Sequence, residues 1–541
     1  SVAPAESVRV RQAIDRVLNA TVQRTVIHAA EAGIGQTTMD GGDSNSESAP
    51  FAIRGPLPTG PRYTRTLLHA SGGMGSVWLA RDTDIGRNVA LKELRAEVAG
   101  GSVPVRFLRE ARITGQLEHP GVVPVYEIGS DPATGQPFYT MRFVRGRTLT
   151  EAAQAFHEHR QTGHDDPLEF VSLLGAFVSV CHTIAYAHSH GVIHRDLKGE
   201  NIILGDYGEV IVLDWGLAKR LDHAGEDDIP VTPTSEAEVA PGQTMMGQVM
   251  GTPAYMAPEQ ALGRLDLIGP ATDIFGIGAI FYEILTGRAP FTGAGTVQVL
   301  SLARKAAIAP PREFWPEVPP ALEAMCLKAL SKKPADRYAK ATEFARLVQG
   351  WQDKQRRQAE DELRQAGERL MQQQKALVNL TRSEVFSEPE LSATFRRMIE
   401  VAARTLEVER VGVWRYLDGG QAIRCELLFE RATGRTSSGV VLHERDFPAY
   451  FAALQSSEVI PAHDAREDSR TSAFTDSYLN PLGIGAIMDA PIHVDGELYG
   501  VVCHEHVGPP RKWMPDEQLF AIAIANLVSQ AVSLHEHRRH P

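Results

Sequence analysis

Residues 192–219 read VIHRDLKGENIILGDYGEVIVLDWGLAK. Asp196 and Asn201 stand five residues apart, and Asp214 follows thirteen residues after the Asn. Transfer of a phosphoryl group to a hydroxyl needs a carboxylate beside the nucleophile and oxygen ligands for magnesium, both set against a triphosphate. Asp196 suits the first role, and Asn201 with Asp214 suits the second. Upstream, VALK puts Lys92 on a strand, where its ammonium can grip phosphates, and RFLREAR offers Glu110 on a helix as its ion-pair partner.

A glycine-rich stretch precedes that lysine: LLHASGGMGSVWLA, residues 67–80. Gly72 and Gly75 occupy the second and third glycine positions of a G-x-G-x-x-G-x-V loop, and Val77 follows in register. Ala70 stands where the first glycine would be. By itself the stretch reads equally as a phosphate loop or as a turn between two strands.

The order of SGGMGSV, VALK, HRDLKGEN, LDWG, GTPAYMAPE, TDIFGIG and ADRY removes that ambiguity. Residues 62 to about 350 resemble a protein kinase of the Ser/Thr class, most closely the eukaryotic-like kinases of bacteria. The resemblance implies a bilobal fold that uses ATP and Mg2+ to phosphorylate proteins, itself included. It implies catalytic roles for Asp196, Lys92 and Lys198, with Asn201 and Asp214 as metal ligands. It implies a nucleotide site from Ala70, Gly72, Gly73, Gly75, Val77, Ala90, Lys92, Glu110, Met141, Phe143 and Val144. Met141 would guard the adenine pocket, with residues 142–144 as the hinge. Glu259 and Arg337 would form a structural ion pair, and Asp273 would steady the catalytic loop.

Three positions depart from the family pattern: Ala70, Gly199 in place of the proline after the lysine, and Trp215 in place of the phenylalanine of D-F-G. None removes a charge, a metal ligand or the base. Trp215 keeps a large apolar group able to pack under the Glu110 helix. Arg195 beside Asp196 implies control by phosphorylation of the segment between Asp214 and Glu259, with Thr232, Thr234, Ser235 and Thr244 as candidates. Thr244 lies nearest the position modified in bacterial relatives. Thr252 is expected to contact Asp196 and to serve structure. The rival function is a signalling scaffold whose kinase fold binds nucleotide without transferring phosphate; the intact Lys92, Asp196, Asn201 and Asp214 favour the enzyme.

At 541 residues the chain exceeds one core and predicts several domains. Its net charge of -12 argues against a nucleic-acid partner. Four scattered cysteines without a C-x-x-C suit a reducing, cytoplasmic setting. No membrane segment or signal peptide is read, and the most apolar stretches suit buried helices. The expected organisation is an N-terminal helix and flexible linker over 1–61, a kinase domain over 62–350 and a helical linker over 351–383. A further domain follows over 384–537. The kinase segment is expected to be strand-rich from Arg62 and helical after about Leu168. In the linker, Leu363, Leu370 and Leu377 recur every seven residues, with Ala359, Ala366 and Leu380 beside them. That pattern reads equally as one solvated connecting helix or as the seam of a parallel homodimer, and Gln373 and Gly367 weaken it.

The last domain pairs two strands around Asp495–Gly496, a hairpin signal, before an apolar C-terminal helix. It resembles a GAF domain, which implies a six-stranded antiparallel sheet and, in many members, a small-molecule ligand. Cys503, His504, Glu505 and His506 alternate faces if they lie on a strand, so they read as packing rather than as a metal site. The whole chain is therefore expected to be α+β: a bilobal kinase fold plus a GAF-type antiparallel sheet flanked by helices, joined by a helical linker.

Overall fold

The computed structural model describes residues 62–71, 75–95, 103–164, 166–221, 252–382 and 384–539. The expected N-terminal helix and linker, Gly72, Gly73, and the candidate phosphosites Thr232, Thr234, Ser235 and Thr244 lie outside the described residues. Two compact units divide between Ala359 and Glu360.

The first unit opens with β1 (Tyr63–Ser71), β2 (Gly75–Asp82) and β3 (Arg87–Leu94). The helix α1 (Val103–Gln116) then precedes β4 (Val125–Ser130) and β5 (Pro137–Arg142). The five strands form an antiparallel sheet in the order β1-β2-β3-β5-β4. Phe107 and Ala111, four residues apart on α1, pack on Leu94 and Tyr139 of the sheet. That spacing directs one face of α1 at the sheet and brings Glu110, between them, to the end of β3.

The remainder of this unit is mostly helical. After β6 (Gly146–Thr148) come α2 (Leu149–Gln161), whose start carries a capping box from Thr148 and Glu151, and α3 (Pro167–Ser189). Helices therefore begin earlier than expected, because α1 packs on the sheet and α2 starts at Leu149. Short strands β7 (Val192–Ile193), β8 (Ile202–Gly205), β9 (Val210–Val212) and β10 (Lys219–Arg220) frame the quoted stretch. They pair as β6-β8-β9 and β10-β7, so the ends of that stretch are tied down while its middle is free to present side chains.

The helix α4 (Pro270–Thr286) is buried on every side from Thr272 to Leu285. A Cβ at Gly278 would lie 2.8 Å from the Ala329 Cβ, so glycine lets α6 (Pro320–Ala329) approach α4 closely; α5 (Thr296–Lys305) lies between them in sequence. Phe177 of α3, Phe281 of α4 and Phe344 form the aromatic centre of this core. The helices α3 and Pro515–Arg538 are long and apolar enough to cross a membrane by length and composition, yet each buries much of its apolar surface inside its own unit.

The helix α7 (Ala341–Arg382) runs through the division between the units. Its first turns bury Phe344, Ala345 and Val348 in the first unit, so it begins ten residues before the expected linker. Its last turns belong to the second unit, where Leu380 is buried and Ala376 and Leu377 pack beside it. The expected heptad stripe is split. Leu363 and Leu370 are exposed, whereas Leu377 packs inward and Gln373 is buried with its amide donating to Asp516 at 3.1 Å. Asp516 supplies the hydrogen-bond partner that makes a glutamine acceptable on the inward face.

The second unit continues with α8 (Leu391–Thr405), β11 (Arg410–Leu417), β12 (Ala422–Glu430), β13 (Arg435–Ser437), β14 (Val441–His443), α9 (Pro448–Ser456), β15 (Ile460–Ala462), β16 (Ile484–Val494), β17 (Glu497–Val507) and α10 (Pro515–Arg539). Its antiparallel sheet has the order β13-β12-β11-β17-β16-β15, and β14 also pairs β12. Seven strands thus replace the expected six, because one end of β12 pairs β13 and the other pairs β14. Alternation divides the sheet into two cores. Val411, Val413, Met488 and Val502 face α8 and α10, while Trp414, Ile487, Val501 and Cys503 face α9 and the loops around it.

Candidate active site

The cleft side chains come from three elements of the first unit. Lys92 on β3 sits directly across from Tyr139 on β5. Its Nζ lies 2.6 Å from Glu110 Oε1, and the Tyr139 hydroxyl donates to that same oxygen at 2.7 Å. Asp214 Oδ1 is 4.0 Å from Lys92 Nζ. Burial pulls the Lys92 pKa down, but Glu110 and then Asp214 outweigh it, so the pKa lies above that of an ordinary lysine. Lys92 is therefore a fixed cation at neutral pH.

The loop after β7 is held from below by Asp273. Its Oδ1 accepts from the Arg195 amide at 2.8 Å, and its Oδ2 accepts from the His194 amide at 2.8 Å and from His188 Nε2 at 2.7 Å. Burial raises the pKa of this fully enclosed carboxyl, yet the His188 hydrogen bond and neighbouring charges bring it below the ordinary value. Arg195 and Asp214 both have positive φ, 71° and 57°, an uncommon backbone state for non-glycine residues. Arg195 Nε donates to the Leu217 carbonyl, and Trp215 Nε1 donates to that of Val212 at 3.3 Å. Trp215 is buried in the same core as Ile113 of α1, the helix that carries Glu110, and Leu117 just beyond its end.

Asp196 Oδ1 accepts from the Thr252 amide at 3.0 Å, and Lys198 Nζ donates to the Thr252 hydroxyl at 2.9 Å. Lys198 Nζ also lies 3.9 Å from Asp196 Oδ2. The Asn201 amide donates to the Asp196 carbonyl at 3.0 Å, which leaves the Asn201 side-chain oxygen as an acceptor. Asp214 is exposed, and its Oδ1, besides facing Lys92, accepts from the Gly216 amide at 3.4 Å. An amide oxygen and an exposed carboxylate are hard donors of the kind magnesium takes, so the residues present fit that ion. Thr252 meets Asp196 as expected, and it also meets Lys198.

Ala90 and Met141 face each other across β3 and β5, and Phe143 makes an edge contact with His69, whose neighbour is Ala70. Val144 follows at the end of this hinge and is half-buried. Ala70 pairs with Val77 in the β1–β2 hairpin, next to a register shift after Leu68. Gly75 answers to a local constraint, since a Cβ there would stand 2.6 Å from the Glu93 carbonyl oxygen across the strand pair. Glu259 and Arg337 form a fully buried bidentate pair at 2.7 and 2.8 Å.

Sequence reasoning passed over three groups here. Tyr139 was discoverable, since it lies two residues before Met141 on a strand and so shares its face. His188, and the Tyr255–Glu283 contact at 2.8 Å, had no local signal because their partners lie far along the chain. In the second unit Cys503 and Glu505 share one face, while His504 points to the other and its ring meets the Met488 carbonyl at 2.9 Å. Among the described residues no cluster of three or more His, Cys, Asp or Glu is arranged to hold a metal.

The protein kinase domain model matches residues 69–348, just over half of the chain, and the GAF domain model matches residues 390–532. A serine/threonine-protein kinase PknD of Protochlamydia amoebophila is 39% identical over 299 residues, which cover 52% of this chain and 29% of that protein. The PknD of Chlamydia trachomatis serovar D is 37% identical over 298 residues, covering 53% and 31%. The PknD of Chlamydia pneumoniae is 38% identical over 292 residues, covering 52% and 30%. The matched stretch thus spans under a third of the length of these relatives. With its Lys92–Glu110 pair, its Asp196 loop and its Glu259–Arg337 pair, the chain belongs to the protein kinase family and carries a GAF domain behind the kinase domain.

Proposed function

We propose that the chain transfers the γ-phosphoryl group of ATP to serine and threonine hydroxyls of proteins, including its own, under the influence of its GAF domain. The observation that carries this reading is the convergence of Lys92, Asp196, Asn201 and Asp214, each with its supporting partner intact. Lys92, held by Glu110, binds the α- and β-phosphates as a permanent cation. Asp196, oriented by the Thr252 amide, accepts the proton of the substrate hydroxyl. Lys198, tethered to Thr252, stands where charge develops on the transferring group. Asn201 and Asp214 would hold magnesium, which when bound neutralises phosphate oxygens. Ala70, Gly72, Gly73, Gly75, Val77, Ala90, Met141, Phe143 and Val144 would enclose the nucleotide.

The working division is a kinase unit over 62–350, a linker over 351–383 and a GAF unit over 384–537, preceded by residues 1–61. A small-molecule ligand of the GAF unit and a homodimer through the linker helix complete the reading, with the cytoplasm as its setting and Thr244 as the regulatory phosphosite. The full chain incubated with radiolabelled ATP, magnesium and casein should label casein and itself on serine or threonine. Asp196→Ala should remove both signals. Wild-type labelling no greater than that of Asp196→Ala would leave the nucleotide-binding scaffold as the function.

A further inference from the structure

We propose that the second unit carries a binding groove for a small organic phosphate between the end of α7 and α8. The proposal deepens the GAF reading above by giving that unit a ligand class and a place. What each helix buries sets its rotation. On α7, Gln373, Leu377 and Leu380 face inward at helical spacing, so the adjacent stripe of Gln372, Lys375, Ala376 and Asn379 turns toward α8. On α8, Met398 and Ala402 are buried, and Val401, Arg404 and Thr405 form the facing stripe. Together these two stripes line a groove of about 280 Å³. It lies on the α8 side of the sheet, away from the face that α9 covers.

The chemistry of the lining selects the ligand. Lys375 and Arg404 are exposed cations, and among the described residues no carboxylate lines the groove. On the same two helices Arg364, Arg369 and Arg396 pair with carboxylates. Lys375 and Arg404 make no hydrogen bond or ion pair with a described residue, and neither do the side chains of Gln372, Asn379 and Thr405. These polar groups converge with their hydrogen-bonding capacity unused, over a floor of half-buried Ala376 and Val401. A phosphate monoester carries about two negative charges at neutral pH, which matches the two cations. Arginine offers its oxygens a planar fork, and lysine adds a point charge. The carboxamides and the hydroxyl suit the hydroxyls of an organic portion. The groove is close to the lower end of small-molecule sites, which run from about 300 to 1,000 Å³, so it suits a ligand the size of a sugar phosphate.

The test is isothermal titration of the full chain without ATP. Glucose 6-phosphate and glycerol 3-phosphate are the probes, glucose is the uncharged control, and inorganic phosphate is the bare anion. At least one ester should bind with a Kd of about 1 mM or tighter, and glucose should not bind. Added KCl should weaken the binding. Lys375→Gln and Arg404→Gln should each weaken it about tenfold or more, since each removes a charged hydrogen-bond donor. Both side chains are exposed, so these variants keep the fold. Arg435→Gln, which alters an exposed cation on β13, should leave binding unchanged. Hydrogen exchange over residues 372–379 and 401–405 should slow when the ester is added to wild type, and not in Arg404→Gln. Three results would overturn the proposal: no binding of either ester up to about 10 mM, binding that Lys375→Gln and Arg404→Gln leave unaltered, or an equal loss in Arg435→Gln. Inorganic phosphate binding as tightly as the esters would mean an adventitious ion only, and would overturn it too. Binding is read without phosphoryl transfer, so a chain that labels no casein refutes the kinase reading and leaves the groove to its own measurement.

Discussion

Replacing Asp489 by asparagine should make the GAF unit more stable at pH 8 while leaving it nearly unchanged below about pH 4. Asp489 lies on β16, 2% exposed, and its Oδ2 accepts a short hydrogen bond from Tyr450 of α9. Its Oδ1 has no partner. The groups around it are Tyr450 from α9, Cys503 and Glu505 from β17, and, one step further, Tyr478 and Arg410 bonded to Glu505. Burial raises the Asp489 pKa from 3.8 to about 7, against the opposing hydrogen bonds of Tyr450 and Cys503.

The sign follows from linkage. With a raised folded pKa, the folded state keeps a proton that the unfolded chain has released. The stabilisation is complete below about pH 4 and is lost as pH rises through 7. A shift of about 3 units corresponds to about 4 kcal/mol at full ionisation. His504, whose pKa burial lowers to about 4, acts in the opposite sense between pH 4 and 6.5 and is present in both proteins. Subtracting wild type from Asp489→Asn removes it. The assay is a urea titration of the full chain with pulsed thiol alkylation, read at Cys425 for the GAF unit and at Cys181 and Cys326 for the kinase unit, all buried. Parallel wild-type and Asp489→Asn curves at Cys425 between pH 5 and 8 would refute the argument. They would mean that Asp489 is ionised throughout and that its burial costs little.

Four shorter expectations concern the rest of the chain. Arg337→Ala leaves Glu259 charged, buried and unpaired, and should cost the kinase unit about 3–5 kcal/mol in the same titration at Cys326. Asp214→Asn should abolish phosphoryl transfer without lowering the melting temperature, because this side chain is exposed; residual activity near wild type would remove its assigned role. Ala70→Gly should lower KM for ATP by about threefold or less, and an unchanged value would mean that the β1–β2 turn already reaches its working shape. Leu363→Lys with Leu370→Lys, leaving the inward Leu377 intact, should dissolve a dimer and slow autophosphorylation at low concentration; an unaltered sedimentation coefficient and rate would make α7 a passive tether.

What the sequence alone determined is chemistry carried by neighbours or by order along the chain. Asp196, Lys198 and Asn201 lie within six residues, so a short loop can bring them together whatever the rest does. Alternation likewise foretold that Cys503 and Glu505 share a face and that His504 does not. The tertiary structure decided which partners met across long separations. Glu110 joins Lys92 and Tyr139 because Phe107 and Ala111 dock α1 on the sheet, and Glu283 meets Tyr255 only because α4 is buried in the same core. Periodicity in α7 announced an apolar stripe but not what covers it; Asp516, 143 residues beyond Gln373, turned that glutamine inward and left Leu363 and Leu370 in solvent. Asp489 had no signature in IMDAPI, since a carboxyl becomes unusual only when packing removes its water. Burial belongs to the assembled fold, and short-range spacing belongs to the chain.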